Sequence, residues 1–307
     1  MLASANIYKY EQAVISTNYA KFPLNSTIYA DCNFFAFAIF KSEEWMHFYV
    51  VKLRTICICL AIIIVSILLS VSIDGVNAAQ VYFGYANRKV PIYYVQTEQK
   101  QVAISFDAAW GADKTEGIMK ILKEYNAGGT FFLVGFWTDK YADIVKKIDE
   151  NGFEIGTHSN THPDMVKLSA DQIKQELESS IKLITDITGK DVKLFRAPFG
   201  SYNNTLLNTA ESMGLKTIQW DVDTLDWKGI SGEEICQRVL ARVKNGSIIL
   251  CHNNSDHILE ALPLVLDRLQ KQGYKITCVG DLIYQDNYEI DHNGMQIPLN
   301  QAENTAE

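Results

Sequence analysis

From Ala79 to Tyr284 short apolar runs alternate with amphipathic stretches, and this alternation narrows the fold more than any other feature of the chain. Val102 to Phe106 reads as a strand and Asp113 to Tyr125 as a helix, with Asp113 and Glu116 at capping-box spacing. Strand Thr130 to Val134, helix Asp139 to Glu150 and strand Phe153 to Thr157 follow. Ser169 to Ile187 is a long helix whose Ile173, Leu177, Ile181 and Ile184 share one face. The pattern continues with strand Val192 to Phe195, helix Asn204 to Met213, strand Lys216 to Asp221 and helix Gly232 to Val243. Strand Ser247 to His252, helix Leu259 to Gln272 and strand Tyr274 to Val279 close it. Regular strand-then-helix order implies parallel strands joined by helical crossovers. Seven or so such units fit a closed or nearly closed barrel better than an open sheet. The folded domain is therefore placed at 100–285, with a short lead-in over 80–99 and a loose polar tail over 286–307.

Charge and cysteine content exclude several alternatives. A net charge of -8 and a pI near 5.3 oppose nucleic-acid binding, which needs a basic face for the phosphates. Cys32, Cys57 and Cys59 lie at or before an apolar segment, leaving Cys236, Cys251 and Cys278 in the main domain. An odd, sparse set in a domain of this size is no disulfide framework, and core packing is the expectation for all six.

Ahead of the domain, Lys52 and Arg54 precede a continuous apolar stretch from Ile56 to about Val71, and Val76-Asn77-Ala78 places small residues where a signal peptidase reads. That order describes a secretory signal peptide or an uncleaved anchor over 46–79. Either way the following domain is expected outside the cytoplasm, in the cell wall or extracellular space or tethered to the membrane. Membrane contact is expected through this segment alone. Residues 1–45 are Tyr- and Phe-rich without a period, and two accounts fit them. Either translation starts at Met46, with Glu43-Glu44-Trp45 a ribosome-binding site read as protein, or the stretch is a cytoplasmic tail.

The polar residues of the domain fall at telling places. Asp107, His158, Arg196, Asp221 or Asp223, and His252 each sit at or just beyond the C-terminal end of a predicted strand. In a parallel barrel those ends gather on one rim, where such folds place their active sites. His158 and His162, in H-S-N-T-H, are spaced to reach one ion from a helix turn or tight loop. A lone pair of this kind is more often a surface coincidence, but here it follows a strand. Asp107 leaves an apolar strand into the turn Ala108-Ala109-Trp110-Gly111, as a turn aspartate or as a general base. Arg196, before the rigid Pro198 turn, reads as a buried salt-bridge partner or as the group that orients Asp107. His252 reads as a core histidine or as a general acid.

At these residues the chain resembles the polysaccharide deacetylases with the NodB-type domain, the family 4 carbohydrate esterases, and most of all their sporulation-associated, PdaB-like subgroup. Five ordered segments between about Gln101 and Tyr284 carry the resemblance: Ser105-Phe106-Asp107, His158 to His162, R-A-P-F-G from Arg196, D-V-D-T-L-D-W from Asp221 to Trp227, and L-C-H ending at His252. The resemblance implies a distorted (β/α)7 TIM-like barrel, a divalent metal, usually zinc, and hydrolysis of N-acetyl groups on a polysaccharide. It implies Asp107 as base, His158 and His162 as metal ligands, His252 as acid, Arg196 aligning the base and Asp223 tuning His252. Trp227 and Leu250 would line the pocket for the acetyl methyl, and the backbone N–H of Tyr202 would help hold the oxyanion. Export and the subgroup resemblance favour peptidoglycan as the polymer.

One departure stands out. The family's first motif has two consecutive aspartates, the second a metal ligand, and here that position is Ala108. Losing a ligand and its charge weakens the hold on the metal. A catalytically silent glycan-binding or spore-structural protein on the same barrel is thus the competing reading. An amidohydrolase is disfavoured, because the His-x-His those enzymes carry on the first strand is missing here.

Overall fold

The computed structural model describes residues 34–41, 45–52, 57–66 and 88–299. The chain divides into a unit over Met1–Ala86 and a larger one over Asn87–Glu307. In the first, strands β1 (Phe34–Lys41) and β2 (Trp45–Lys52) pair antiparallel, and α1 covers residues 57–66. Cys57 and Cys59 are exposed on that helix, not packed as expected. No helix among the described residues is long and apolar enough to cross a membrane. The rest of the predicted apolar run and its cleavage site lie outside the described residues, as do the first 33 positions.

The second unit is built on a parallel eight-stranded sheet. Its strands are β4 (Gln101–Ala108), β5 (Thr130–Leu133), β6 (Glu154–Thr157), β7 (Leu194–Phe195), β8 (Lys216–Thr217), β9 (Val222–Asp223), β10 (Ile248–His252) and β11 (Lys275–Thr277). The order runs β8-β7-β6-β5-β4-β10-β9, with β11 also on β4, and every pairing is parallel. The two edges, β8 and β9, are consecutive in the chain. The strand expected over Lys216–Asp221 is therefore split: after Thr217 the backbone leaves one edge and joins the other beside β10. Side chains of β4 alternate between two apolar layers. Val102, Ile104, Phe106 and Ala108 pack with Ile118, Leu122 and Leu262 of the flanking helices, and Ala103 packs with Phe132, Leu194 and Ile248.

Those helices are α2 (Thr115–Glu124), α3 (Gly135–Lys140), α4 (Ala142–Glu150), α5 (Ala170–Thr188), α6 (Asn204–Ser212), α7 (Gly232–Leu240), α8 (Ile258–Lys271) and α9 (Val279–Leu282). Helix α5 follows its sequence closely. Ser169 and Gln172 form a reciprocal capping box, Ile173, Leu177 and Ile184 are buried, and Gly189 ends the helix in the left-handed conformation. Ser231 and Glu234 start α7 in the same way.

The capping box expected at Asp113 and Glu116 does not form. Lys114 is the N-cap and receives no side-chain cap, while Glu116 pairs with Lys147 at 2.6 Å. The ammonium of Lys114 donates instead to the carbonyls of Asn254 and Ser255, tying the start of α2 to the loop after β10. The helix expected over Asp139–Glu150 is two helices, broken at Tyr141 by non-helical backbone. The stretch after Tyr284 is not loose. Strands β12 (Tyr288–Ile290) and β13 (Met295–Pro298) form a small sheet with β3 (Tyr94–Val95), so tail and lead-in pin each other. Gln296 fixes the join by exchanging side-chain hydrogen bonds with the backbone of Tyr284.

Candidate active site

Asp107 is the second-last residue of β4 and His252 the last of β10, and the two are direct partners in the parallel pairing of those strands. His158 follows β6, and Arg196 follows β7. Each polar side chain thus emerges where a buried apolar strand ends.

Arg196 organises the centre. It is wholly buried, and its Nη1 donates to Asp107 Oδ1 at 2.8 Å. Its Nη2 and Nε donate to the carbonyls of Gln219 and Ile218 at 3.1 and 3.4 Å. These carbonyls lie on the segment that passes from one sheet edge to the other, so one guanidinium fastens that crossing and holds the carboxylate. Its face rests 4.1 Å from the Phe132 ring centroid. Burial pushes the Asp107 carboxyl up, but Arg196, with His158 and His252, more than reverses this and keeps it below its ordinary value.

His158 Nδ1 donates to the carbonyl of Arg196 at 2.8 Å, which supplies the backbone acceptor that a ligating imidazole needs for its second nitrogen. Burial holds this imidazole neutral, so the Nε2 lone pair faces Asp107 Oδ2 across 3.5 Å. Two acceptors facing one another in a buried space suit a shared cation or proton. His162 lies alongside, with ring centroids 4.9 Å apart, its pKa lowered to about 4 by burial and by His158.

The loop bearing both histidines is a tight turn, with Ser159 and His162 at positive φ. Glu176, on α5, accepts from the backbone N–H groups of Asn160 and Thr161 and from the Thr161 hydroxyl, at 2.7–2.9 Å. No sequence signal marked Glu176, because a glutamate on a helix face looks like any solvated one.

His252 is backed by a carboxylate, but not the expected one. Asp226, fully buried, accepts from the His252 backbone N–H at 2.7 Å and from Nδ1 at 2.8 Å. Asp223, expected to tune His252, instead accepts from the backbone N–H of Leu225 two residues on, and Asp221 accepts from Ser247 and the backbone of Ile248. The reason is local. Leu225 takes positive φ and turns the chain, so Asp226, not Asp223, is aimed back at β10. Burial opposes charge on His252, but the bond to Asp226 and the nearby Asp107 outweigh it and raise its pKa.

The remaining expected residues spread around this centre. Leu250 is buried two residues before His252, and its carbonyl accepts from Thr224. Trp227 follows Asp226 and is largely exposed. Tyr202 lies after the 198–200 turn, in which Phe199 has positive φ, and its ring meets Tyr93 edge-on.

His158 and His162 suit a divalent cation, both held toward the neutral form and with ring centroids 4.9 Å apart. The third position does not, because Ala108 is a buried methyl in the apolar layer under the helices. Among the described residues no group of three or more His, Cys, Asp and Glu side chains is arranged around an ion. The chain therefore offers a cation two imidazoles and not the fuller set.

Comparison with known proteins agrees with this architecture. The polysaccharide deacetylase family profile matches residues 94–218. The uncharacterized protein YlxY of Bacillus subtilis is 33% identical over 193 residues, 63% of this chain and 60% of its own length. The peptidoglycan-N-acetylmuramic acid deacetylase PdaA of B. subtilis is 31% identical over 202 residues, 64% of this chain and 77% of PdaA. Among solved structures, a CE4 family pseudoenzyme from Bacillus anthracis is 34% identical with a TM-score of 0.61, covering 63% of this chain and 68% of that one. A mutant of it with restored enzymatic activity superposes equally, at 36% identity and 71% of its chain. Given that profile, a relative of this identity spanned over most of its length, and a shared fold, the chain belongs to the polysaccharide deacetylase family, the family 4 carbohydrate esterases.

Proposed function

We propose that this protein hydrolyses the N-acetyl groups of amino sugars in a cell-wall polysaccharide, with peptidoglycan as the polymer. One observation carries the reading: Asp107 and His252 are partners on adjacent strands, each held by its own buried counter-ion, Arg196 and Asp226 respectively. Two titratable groups whose surroundings push them toward opposite charge states divide naturally into a base and an acid. Asp107 takes a proton from the attacking water as its oxygen bonds to the acetamide carbon. The C–N bond then breaks, and His252 donates its proton to the departing nitrogen, leaving acetate and a free amino sugar. Arg196 keeps Asp107 ionised and aimed, and Asp226 keeps His252 protonated.

His158 and His162 are the ligands this chain would give a divalent cation such as zinc, and a cation held there supplies Lewis-acid polarisation of the acetamide carbonyl. The Tyr202 backbone N–H is assigned to the developing oxyanion, and Trp227 and Leu250 to the acetyl methyl. PdaA and related Listeria and Bacillus proteins are peptidoglycan deacetylases by name, which supports the choice of polymer. A place in sporulation and export by the 46–79 segment as a signal peptide or anchor belong to the same proposal. Acetate release from purified peptidoglycan and from chitin oligomers, with zinc, cobalt and chelator arms, tests it. Asp107→Asn is expected to abolish release while the far-UV signal stays native and the melting temperature falls, because buried Arg196 loses its counter-ion, and retained turnover in that variant would remove Asp107 as the base.

Ala108 favours a second reading, a silent glycan-binding protein, and the likeness to a CE4 family pseudoenzyme adds weight to it. It prevails if the wild-type chain releases no acetate with any metal and Ala108→Asp creates the activity.

A further inference from the structure

Beside the centre lies a line of exposed rings that the reaction does not use. Trp110 is 58% exposed, Phe136 42% and Phe199 67%, unusual values for side chains of this size. They are contiguous: the Trp110 ring lies 6.2 Å from Phe136 and 5.2 Å from His162, and His162 lies 4.6 Å from Phe199. His162 in turn abuts His158, which faces Asp107. The row therefore leads directly to the reacting carboxylate.

The backbones beneath these rings are fixed. Gly111, next to Trp110, has a carbonyl that accepts from the Trp137 indole at 2.6 Å and from the Asn253 amide at 2.9 Å. The N–H groups of Gly135 and Phe136 donate to the carbonyls of Ser159 and Asn160, which bolts α3 to the histidine loop. Gly135 is required for that approach, because a Cβ there would run into Asn160. A backbone held in this way spares binding the cost of ordering the main chain beneath the rings.

We infer that Trp110 and Phe136, continued by Phe199, are the shelf of rings that seats the pyranose neighbours of the reacting sugar, so that these side chains carry the gain in affinity with chain length. The inference rests on the deacetylase reading for the identity of the glycan. An acetamide-bearing unit within a polymer has neighbours on the polymer's line, and these must lie on the surface that adjoins Asp107. That surface here is aromatic. Pyranoses present flat faces of C–H groups, which pack on the electron-rich faces of aromatic rings.

Calorimetric titration of the full chain with N-acetylglucosamine and its pentamer, and with peptidoglycan glycan strands of one and several disaccharides, tests this. The wild type is expected to bind the longer form of at least one series roughly tenfold more tightly than the shorter. Trp110→Ala combined with Phe136→Ala should erase that gain, and Trp110→Phe should retain most of it. Equal affinity for short and long forms of both series, or a full gain in the double variant, overturns the shelf. Acetate release is read separately on the same oligomers: if it is absent while the length dependence persists, the hydrolase reading falls and the shelf stands.

Discussion

The carboxylate of Asp226 lies 2.8 Å from Nδ1 of His252 and also accepts from that residue's backbone N–H, so one buried side chain fixes both the position and the charge of the imidazole. Replacing Asp226 with Asn keeps the shape and removes the charge. The His252 pKa, read by NMR titration, is expected to drop from above the ordinary imidazole value toward or below it, with acetate release reduced about a hundredfold. Asp223→Asn should move it far less, because the Asp223 carboxylate is turned to the Leu225 backbone. A larger effect from Asp223 than from Asp226 would reverse the assignment.

The charge states give activity a bell-shaped pH profile. Asp107 is depressed, so its working form is lost as pH falls below the ordinary carboxylate range, and His252 is raised, so its acid form persists above the ordinary imidazole value. Stability follows the same linkage with defined signs. The Asp107 contribution is present above the unfolded carboxylate value and lost as pH falls through the native one. The His252 contribution is present below the unfolded imidazole value and lost as pH rises through the native one. His162, lowered to about 4, binds its proton more readily when unfolded, so stability should fall as pH drops from 6.5 toward 4. Urea unfolding across this range, compared with His162→Gln, reads that slope, and an equal slope in the variant would exclude His162 as its source.

Arg196 holds Asp107 and the carbonyls of Ile218 and Gln219 from a fully buried position. Arg196→Met leaves the carboxylate without its counter-ion and is expected to cost about 3–5 kcal/mol in urea unfolding. Adding Asp107→Asn should recover part of this, because the stranded charge is then gone. Additive losses in the double variant would show that Arg196 acts chiefly through the two carbonyls.

Ala108→Asp adds a carboxylate next in the chain to Asp107 but places it where a fully buried methyl packs among apolar residues. Cation retention after dialysis should rise by about tenfold or more, and the melting temperature of the metal-free form should fall. Unchanged retention would mean that the new carboxylate does not reach the imidazoles.

What the sequence determined by itself is the alternation of strands and helices and the placing of a polar residue at the end of each apolar strand. Both are periodic, local properties, and Asp107, His158, Arg196 and His252 could be singled out from them. Capping pairs were equally legible where they face solvent, as at Ser169 and Ser231, and misleading at Asp113, where Lys114 finds better acceptors across the fold. Tertiary structure alone decided which of three nearby aspartates meets His252, because a single left-handed residue, Leu225, sets the direction of the turn. It also decided that Glu176 holds the histidine loop, that the segment after Tyr284 closes a sheet with Tyr94–Val95, and that Trp110 and Phe136 stand together in water. These partners lie many residues apart in the chain, and no local periodicity encodes the distance between them.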